Sequence, residues 1–195
     1  MGKGPRKPSH HRSPKVMHSL LIRSSALLTI TLTAFTALMF LCFLSTLNIK
    51  PSAYVDISVG RAIVDKGDDY TLNSGYHNDL GLITIDLSSS LGHLFNWNVK
   101  QLFVYLTAEY KTADNKLNQI VLWDKIIKRG SKAELVYKKM TSKYYFWDDG
   151  HGLIGNDNVT LTLSWNVIPN VGWLTFDTGI GDHSFSFPSH YVNIK

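Results

Sequence analysis

Between Ser24 and Leu47 the chain reads SSALLTITLTAFTALMFLCFLSTL, with no charged residue, and that stretch constrains everything around it. As a helix, its 24 residues would rise about 36 Å, against a bilayer hydrocarbon core of roughly 30 Å. Apolar residues would cover every side of such a helix, not a single stripe, which argues against a place in a protein core. Lys3, Arg6, Lys7, Arg12, Lys15 and Arg23 precede it or sit at its edge, and no acidic residue occurs before Asp56. Basic flanks stay on the cytosolic side, so a cytosolic N-terminus and an exported remainder are expected. A cleaved signal peptide would have an apolar region of about 7–15 residues ending in small residues. This stretch is longer and ends in Phe43-Leu44-Ser45-Thr46-Leu47-Asn48. A retained type II anchor is therefore predicted: a cytosolic, basic, disordered tail over 1–23, a transmembrane signal-anchor helix over 24–47, and a lumenal domain over 48–195.

The formal charge of +5 could suggest a nucleic-acid binder. Its distribution argues otherwise. Six of the 20 Lys/Arg residues lie before Ser24 with no acid among them, which leaves 14 against 15 Asp/Glu in the remainder. The basicity is a topology signal with a weak attraction to anionic lipid, and no nucleic-acid partner is expected. Cys42 is the single cysteine and lies inside the apolar stretch, so an intrachain disulfide is impossible. The exported part must be held together by its core, and some 150 residues suffice for one.

The first 16 residues are rich in Pro, Ser and basic side chains and read as disordered. Met17 offers a second possible start. Beyond the anchor, Lys50-Pro51-Ser52 ends the helix, because proline disfavours helical geometry in the residue before it. The rest reads as strands. Ile83, Ile85 and Leu87 alternate with polar residues, and residues 101–110 and 119–127 are aromatic and β-branched runs of strand length. Residues 133–137 and 143–147 are shorter candidates. The clearest pattern is NVTLTLSWNV over Asn158 to Val167, with Val159, Leu161, Leu163, Trp165 and Val167 on one face. Asn158, Thr160, Thr162, Ser164 and Asn166 take the other, expected to meet solvent. Several short strands with turns between them predict a mainly β protein, an antiparallel β-sandwich behind one helix.

Asn158-Val159-Thr160 is the only N-x-S/T sequon, and in an exported domain Asn158 is the expected glycosylation site. No G-x-S-x-G turn or Gly-rich phosphate loop is present, so no catalytic residue is assigned. His77, His93, His151, His183 and His190 lack zinc-ligand spacing, and Asp148-Asp149 before Gly150 reads as a turn. No metal and no cofactor are expected. Phe95, Trp97, Trp123, Trp147, Trp165 and Trp173 could line a partner surface, but any one of them more often fills a core.

Three stretches in order resemble a known family: FNWNVKQLF over residues 95–103 followed by Ala108-Glu109-Tyr110, then LNQIVLWDK over 117–125, then NVTLTLSWNV over 158–167. They resemble subunit 3 of the eukaryotic endoplasmic-reticulum signal peptidase complex. The likeness runs from about Met17 to the C-terminus and is weak over residues 60–75, which are therefore assigned no role, and the basic extension before Met17 departs from the family. It implies a type II glycoprotein of the endoplasmic-reticulum membrane, non-catalytic, with its glycan on Asn158. Removal of signal peptides would belong to a partner, the catalytic subunit with its serine nucleophile. Partners would also include the other small membrane subunits of the complex, with this chain a scaffold that supports the active site at the membrane surface. Two readings outside the family compete: an assembly chaperone of another membrane complex, such as an ion-pump β-subunit, and a small glycosyltransferase. The first usually relies on disulfides, and the second needs an Asp-x-Asp motif that is missing.

Overall fold

The structure, a computed structural model, describes residues 20–68, 77–148 and 150–192. The chain divides into two compact units, with the second beginning at Phe43. α1 (Leu20–Thr46) has 27 residues and no buried side chain. Among the described residues it is the one helix long and apolar enough to cross a membrane. Most of its hydroxyls bond back to the helix backbone, those of Ser25 and Thr46 to the carbonyl three residues back. Thr29, Thr33 and Thr36 each donate to the carbonyl four residues back, at 2.8, 2.8 and 2.9 Å. Such back-bonding lets Thr lie in an apolar medium without an outside partner.

The second unit is built from two antiparallel sheets. The first has the order β1-β2-β5, with β1 (Val55–Asp68), β2 (His77–Ser90) and β5 (Glu134–Thr141), and β6 (Phe146–Trp147) also pairs with β2. The second has the order β4-β3-β7-β8, with β3 (Val99–Tyr110), β4 (Asn118–Lys128), β7 (Val159–Pro169) and β8 (Thr175–Thr178); β9 (His183–Phe185) pairs with β7. The mainly β architecture expected from the sequence is observed. Alternation in β2 drives Ile83, Ile85 and Leu87 inward, and Leu102, Val104, Leu106, Leu161, Leu163 and Trp165 enter the same core from the other sheet. Each such side chain contributes about 1.5–3 kcal/mol on burial.

β1 is the element that sequence patterning does not reveal. Val55 and Ile57 are buried at odd positions, whereas Val64 is buried at an even one. Pairing with β2 slips between Val59 and Arg61, and this bulge reverses which parity faces the core. A run whose phase flips midway shows no clean period of two. Residues 60–68 are therefore sheet, and residues 69–76 lie outside the described residues. β4 has a similar slip, with Leu106 opposite Trp123 and Thr107 opposite Val121, so Leu122 and Trp123 are both buried. The expected strand over 143–147 contracts to Phe146–Trp147.

One expectation in β7 is overturned. Ser164 is buried, although it lies on the outer face. β7 is central in its sheet, and Ser164 is flanked by Tyr105 of β3 and Thr178 of β8. Neighbouring side chains on the same face cover a serine that strand parity alone would leave in water.

No disulfide closes the domain, and aromatic packing serves at one end. Phe146 meets Tyr110 at a tilt and Phe187 edge-on, at 5.6 and 5.4 Å between ring centroids, and Phe187 meets Phe185 edge-on at 5.1 Å.

Candidate functional site

Asn158 stands just before β7, exposed, with its backbone N–H on the Asn156 side-chain oxygen at 3.2 Å. Asn156 in turn donates to the carbonyls of Lys111 and Gly152, both at 2.8 Å. The sequon asparagine thus follows a loop pinned by its neighbour, with its own side chain toward solvent. Thr160, the third sequon residue, is half-buried on β7 with its hydroxyl 2.9 Å from Ser184 Oγ.

Two buried aspartates fix that loop from below. Asp79 Oδ2 accepts the backbone N–H groups of Leu153 and Ile154 at 3.1 and 2.9 Å. Asp79 Oδ1 accepts the Tyr191 hydroxyl at 3.0 Å and faces His151 Nδ1 at 3.1 Å. Burial, and then the bond to Asp79, raise the Tyr191 hydroxyl above the usual tyrosine range. Asp148 accepts the Tyr110 hydroxyl at 2.5 Å and the N–H groups of Gly150 and Gly152 at 3.2 and 2.9 Å. Asp148 therefore closes a turn with its own carboxylate, while Asp149 lies outside the described residues. Of the five histidines noted in the sequence, His151 is brought beside a carboxylate, and His93 Nε2 lies 2.8 Å from the Ser52 carbonyl oxygen. His151, Asp79 and Tyr191 sit close enough for proton exchange, but the remaining capacity of Asp79 is spent on backbone. Among the described residues no group of three His, Cys, Asp or Glu side chains could hold a metal ion.

The aromatic residues separate into two sets. Trp165 and Trp123 are buried, Phe95 and Trp147 half-buried, and Trp97 and Trp173 are 58% and 68% exposed. Trp173 meets the ring of Phe43 edge-on, with centroids 4.7 Å apart. Gly172 makes the approach possible: its φ is +109°, and a Cβ there would stand 2.6 Å from Phe43 Cδ2.

An apolar row that sequence reading did not single out crosses the outer face of the second sheet. Register places Ile126, Phe103, Asn166 and Phe176 side by side on four adjacent strands. Ile126 and Phe176 are exposed, and Phe103 stacks on Tyr105 at 5.5 Å. Core periodicity marks the inward residues of those strands along the sequence. The outer row is legible only once the pairing is known.

These features define a class of protein: a β-sandwich behind one helix of membrane-spanning length, with its buried carboxylates committed to holding loops and a short apolar row left open on one sheet face. The model of the signal peptidase subunit family matches residues 17–190, beginning at Met17 and leaving the basic extension outside. The chain is 51% identical over 176 residues to signal peptidase complex subunit 3 of Drosophila melanogaster, covering 90% of this chain and 98% of that one. It is 48% identical over 179 residues to the human protein of the same name, covering 92% and 99%. Adipocyte-related X-chromosome expressed sequence 1 of Mus musculus is 50% identical over 175 residues, with coverage of 90% and 97%. The chain belongs to the signal peptidase subunit family.

Proposed function

We propose that this chain is a non-catalytic accessory subunit of the signal peptidase complex in the endoplasmic-reticulum membrane. α1 crosses the bilayer, the basic tail lies in the cytosol, and the sandwich lies in the lumen with a glycan on Asn158. The catalytic subunit and the other small membrane subunits are its partners. The sandwich docks on them through the outer row of Phe103, Ile126 and Phe176 and supports the catalytic site at the membrane surface. The observation that carries this reading is the family match, which runs through helix and sandwich alike at about half identity to the Drosophila relative. An exposed apolar row on a folded sheet is the kind of feature an assembly face needs.

The test is complementation of cells depleted of the protein, scored for assembly in mild detergent and for preprotein processing. Phe176→Glu alters an exposed position and should lower assembly and processing together while the sandwich stays folded. Ser164→Ala should leave both intact, since Ser164 Oγ makes only a 3.4 Å contact with Thr178. The purified chain alone should not cleave a preprotein. Cleavage by the lone chain, or loss of processing in an assembled Ser164→Ala complex, would defeat the non-catalytic assignment. Intact microsomes should also shield residues after Leu47 from added protease, and digestion without detergent would overturn the topology.

A further inference from the structure

We propose that the end of the sandwich nearest the last turn of α1 is itself a membrane-surface contact, with Trp97, Trp173 and Leu174 at the headgroup–acyl boundary and lysines on phospholipid phosphates. The proposal rests on the reading of α1 as a membrane span and extends it to the folded domain.

Register brings the starts of β1, β3, β5 and β8 and the ends of β2, β4 and β7 to one end of the two sheets. Four segments close that end: residues 49–53, 91–98, 129–133 and 170–174. They contain Lys50, Arg129 and Lys132 and no carboxylate. The segments at the opposite end mix both signs, with Asp114 and Asp157 beside Lys111 and Lys116. Large apolar side chains also stand out of the first end into solvent, with Trp97, Trp173 and Leu174 each more than half exposed. Alone, an exposed tryptophan on a loop is unexceptional. Here its depth is fixed: Phe43 belongs to the final turn of the apolar helix, and the Trp173 ring touches it. A 27-residue helix rises about 40 Å, more than the hydrocarbon core needs, so its last turn falls in the headgroup zone. Trp173 then lies at that same level, where an indole is favoured because one edge is apolar and the N–H can be hydrated. Lysines beside it reach phosphate oxygens. The nearest carboxylate, Glu134 at the start of β5, is neutralised by its 3.5 Å ion pair with Lys132, which leaves Lys50 as the freer of the two lysines. The function of such a contact is to hold the sandwich at a set height above the bilayer.

The experiment uses the full chain reconstituted in phosphatidylcholine–phosphatidylserine vesicles whose acyl chains are brominated at defined depths. Bromines near the glycerol end should quench part of the tryptophan fluorescence. Trp97→Phe combined with Trp173→Phe should abolish most of that quenching, because Trp165 and Trp123 are buried in the sandwich. Lys50→Glu with Lys132→Glu should also reduce it while every tryptophan remains, since both lysines are exposed, serve no core contact, and give up between them only the surface ion pair of Lys132 with Glu134. Alkaline carbonate extraction tests the helix separately. A chain that resists extraction but shows no shallow quenching overturns the surface contact and leaves the span standing. A chain that is extracted overturns the span and the contact with it. Quenching that disappears once the catalytic subunit is assembled overturns the proposal in favour of a protein-covered face, whereas quenching retained in the complex supports it.

Discussion

The Trp165 indole N–H donates a 2.9 Å hydrogen bond to the carbonyl of Pro51, so the centre of the second sheet holds the segment that precedes β1. Trp165 is wholly buried and faces the core from β7, the strand with the most paired neighbours in its sheet. One side chain therefore fills volume and satisfies a carbonyl that its own burial would otherwise strip of water.

Trp165→Ala should remove about 3–5 kcal/mol from a domain whose total stability is of order 5–15 kcal/mol. Trp165→Phe keeps much of the volume but leaves the Pro51 carbonyl without its donor, a smaller loss of about 1 kcal/mol or more. Thermal unfolding of the full chain in detergent should rank parent, Phe and Ala in that order. Equal melting of Phe and Ala variants would mean that the hydrogen bond outweighs the packing.

Asp79→Ala deletes the acceptor for two backbone N–H groups, those of Leu153 and Ile154, and for the Tyr191 hydroxyl. The expected cost is about 3 kcal/mol, since buried donors left without partners lose roughly 1–3 kcal/mol each. Amide exchange should accelerate first over residues 150–155, ahead of the β3 and β7 amides. Uniform acceleration would show that the clamp supports the whole sandwich and not the loop alone.

Asn158→Gln should raise gel mobility by one glycan's worth and match the product of endoglycosidase treatment. The side chain is exposed and makes room for a sugar, so melting of the unglycosylated protein should change little. Identical mobility of the two proteins from microsomes would remove Asn158 as the modified residue.

Asp124 accepts hydrogen bonds from Lys143 Nζ and the Tyr144 hydroxyl, both at 2.6 Å, midway along β4, an edge strand of its sheet. The bond from Lys143, then that from Tyr144, hold its carboxyl below the ordinary aspartate range. A depressed carboxyl stabilises the fold above its unfolded pKa of about 3.9 and loses that contribution as pH falls through the folded value. The bond to Asp124 raises Lys143 in turn, so its share is lost only as pH climbs past the lysine range. Asp124→Asn should melt slightly below the parent from pH 5 to pH 8, with the gap closing as pH drops under about 4. The pair is partly exposed, so added salt should shrink the gap at neutral pH. A gap that persists at low pH would mean that the carboxylate is not its source.

The apolar stretch, the sequon and the odd-numbered core of β7 were all legible along the chain. Each depends on local composition or on a period of two, and Val159 to Val167 keeps that period without a break. β1 was hidden because its bulge at Gly60 reverses the parity, and a parity reversal shows only when β2 is laid beside it. Ser164 followed the pattern and still departed from the expectation, since Tyr105 of β3, far away in sequence, and Thr178 of the next strand cover it from either side. The same distinction governs the functional surface. Residue types alone marked Asp148 as a turn residue, but they could not bring Asp79 to Ile154 or line up Ile126, Phe103 and Phe176. Local chemistry sets which segments become helix or strand, because it acts between neighbours in the chain. Strand order and register decide which side chains meet across the sheets, because those contacts are made between residues that only folding brings together.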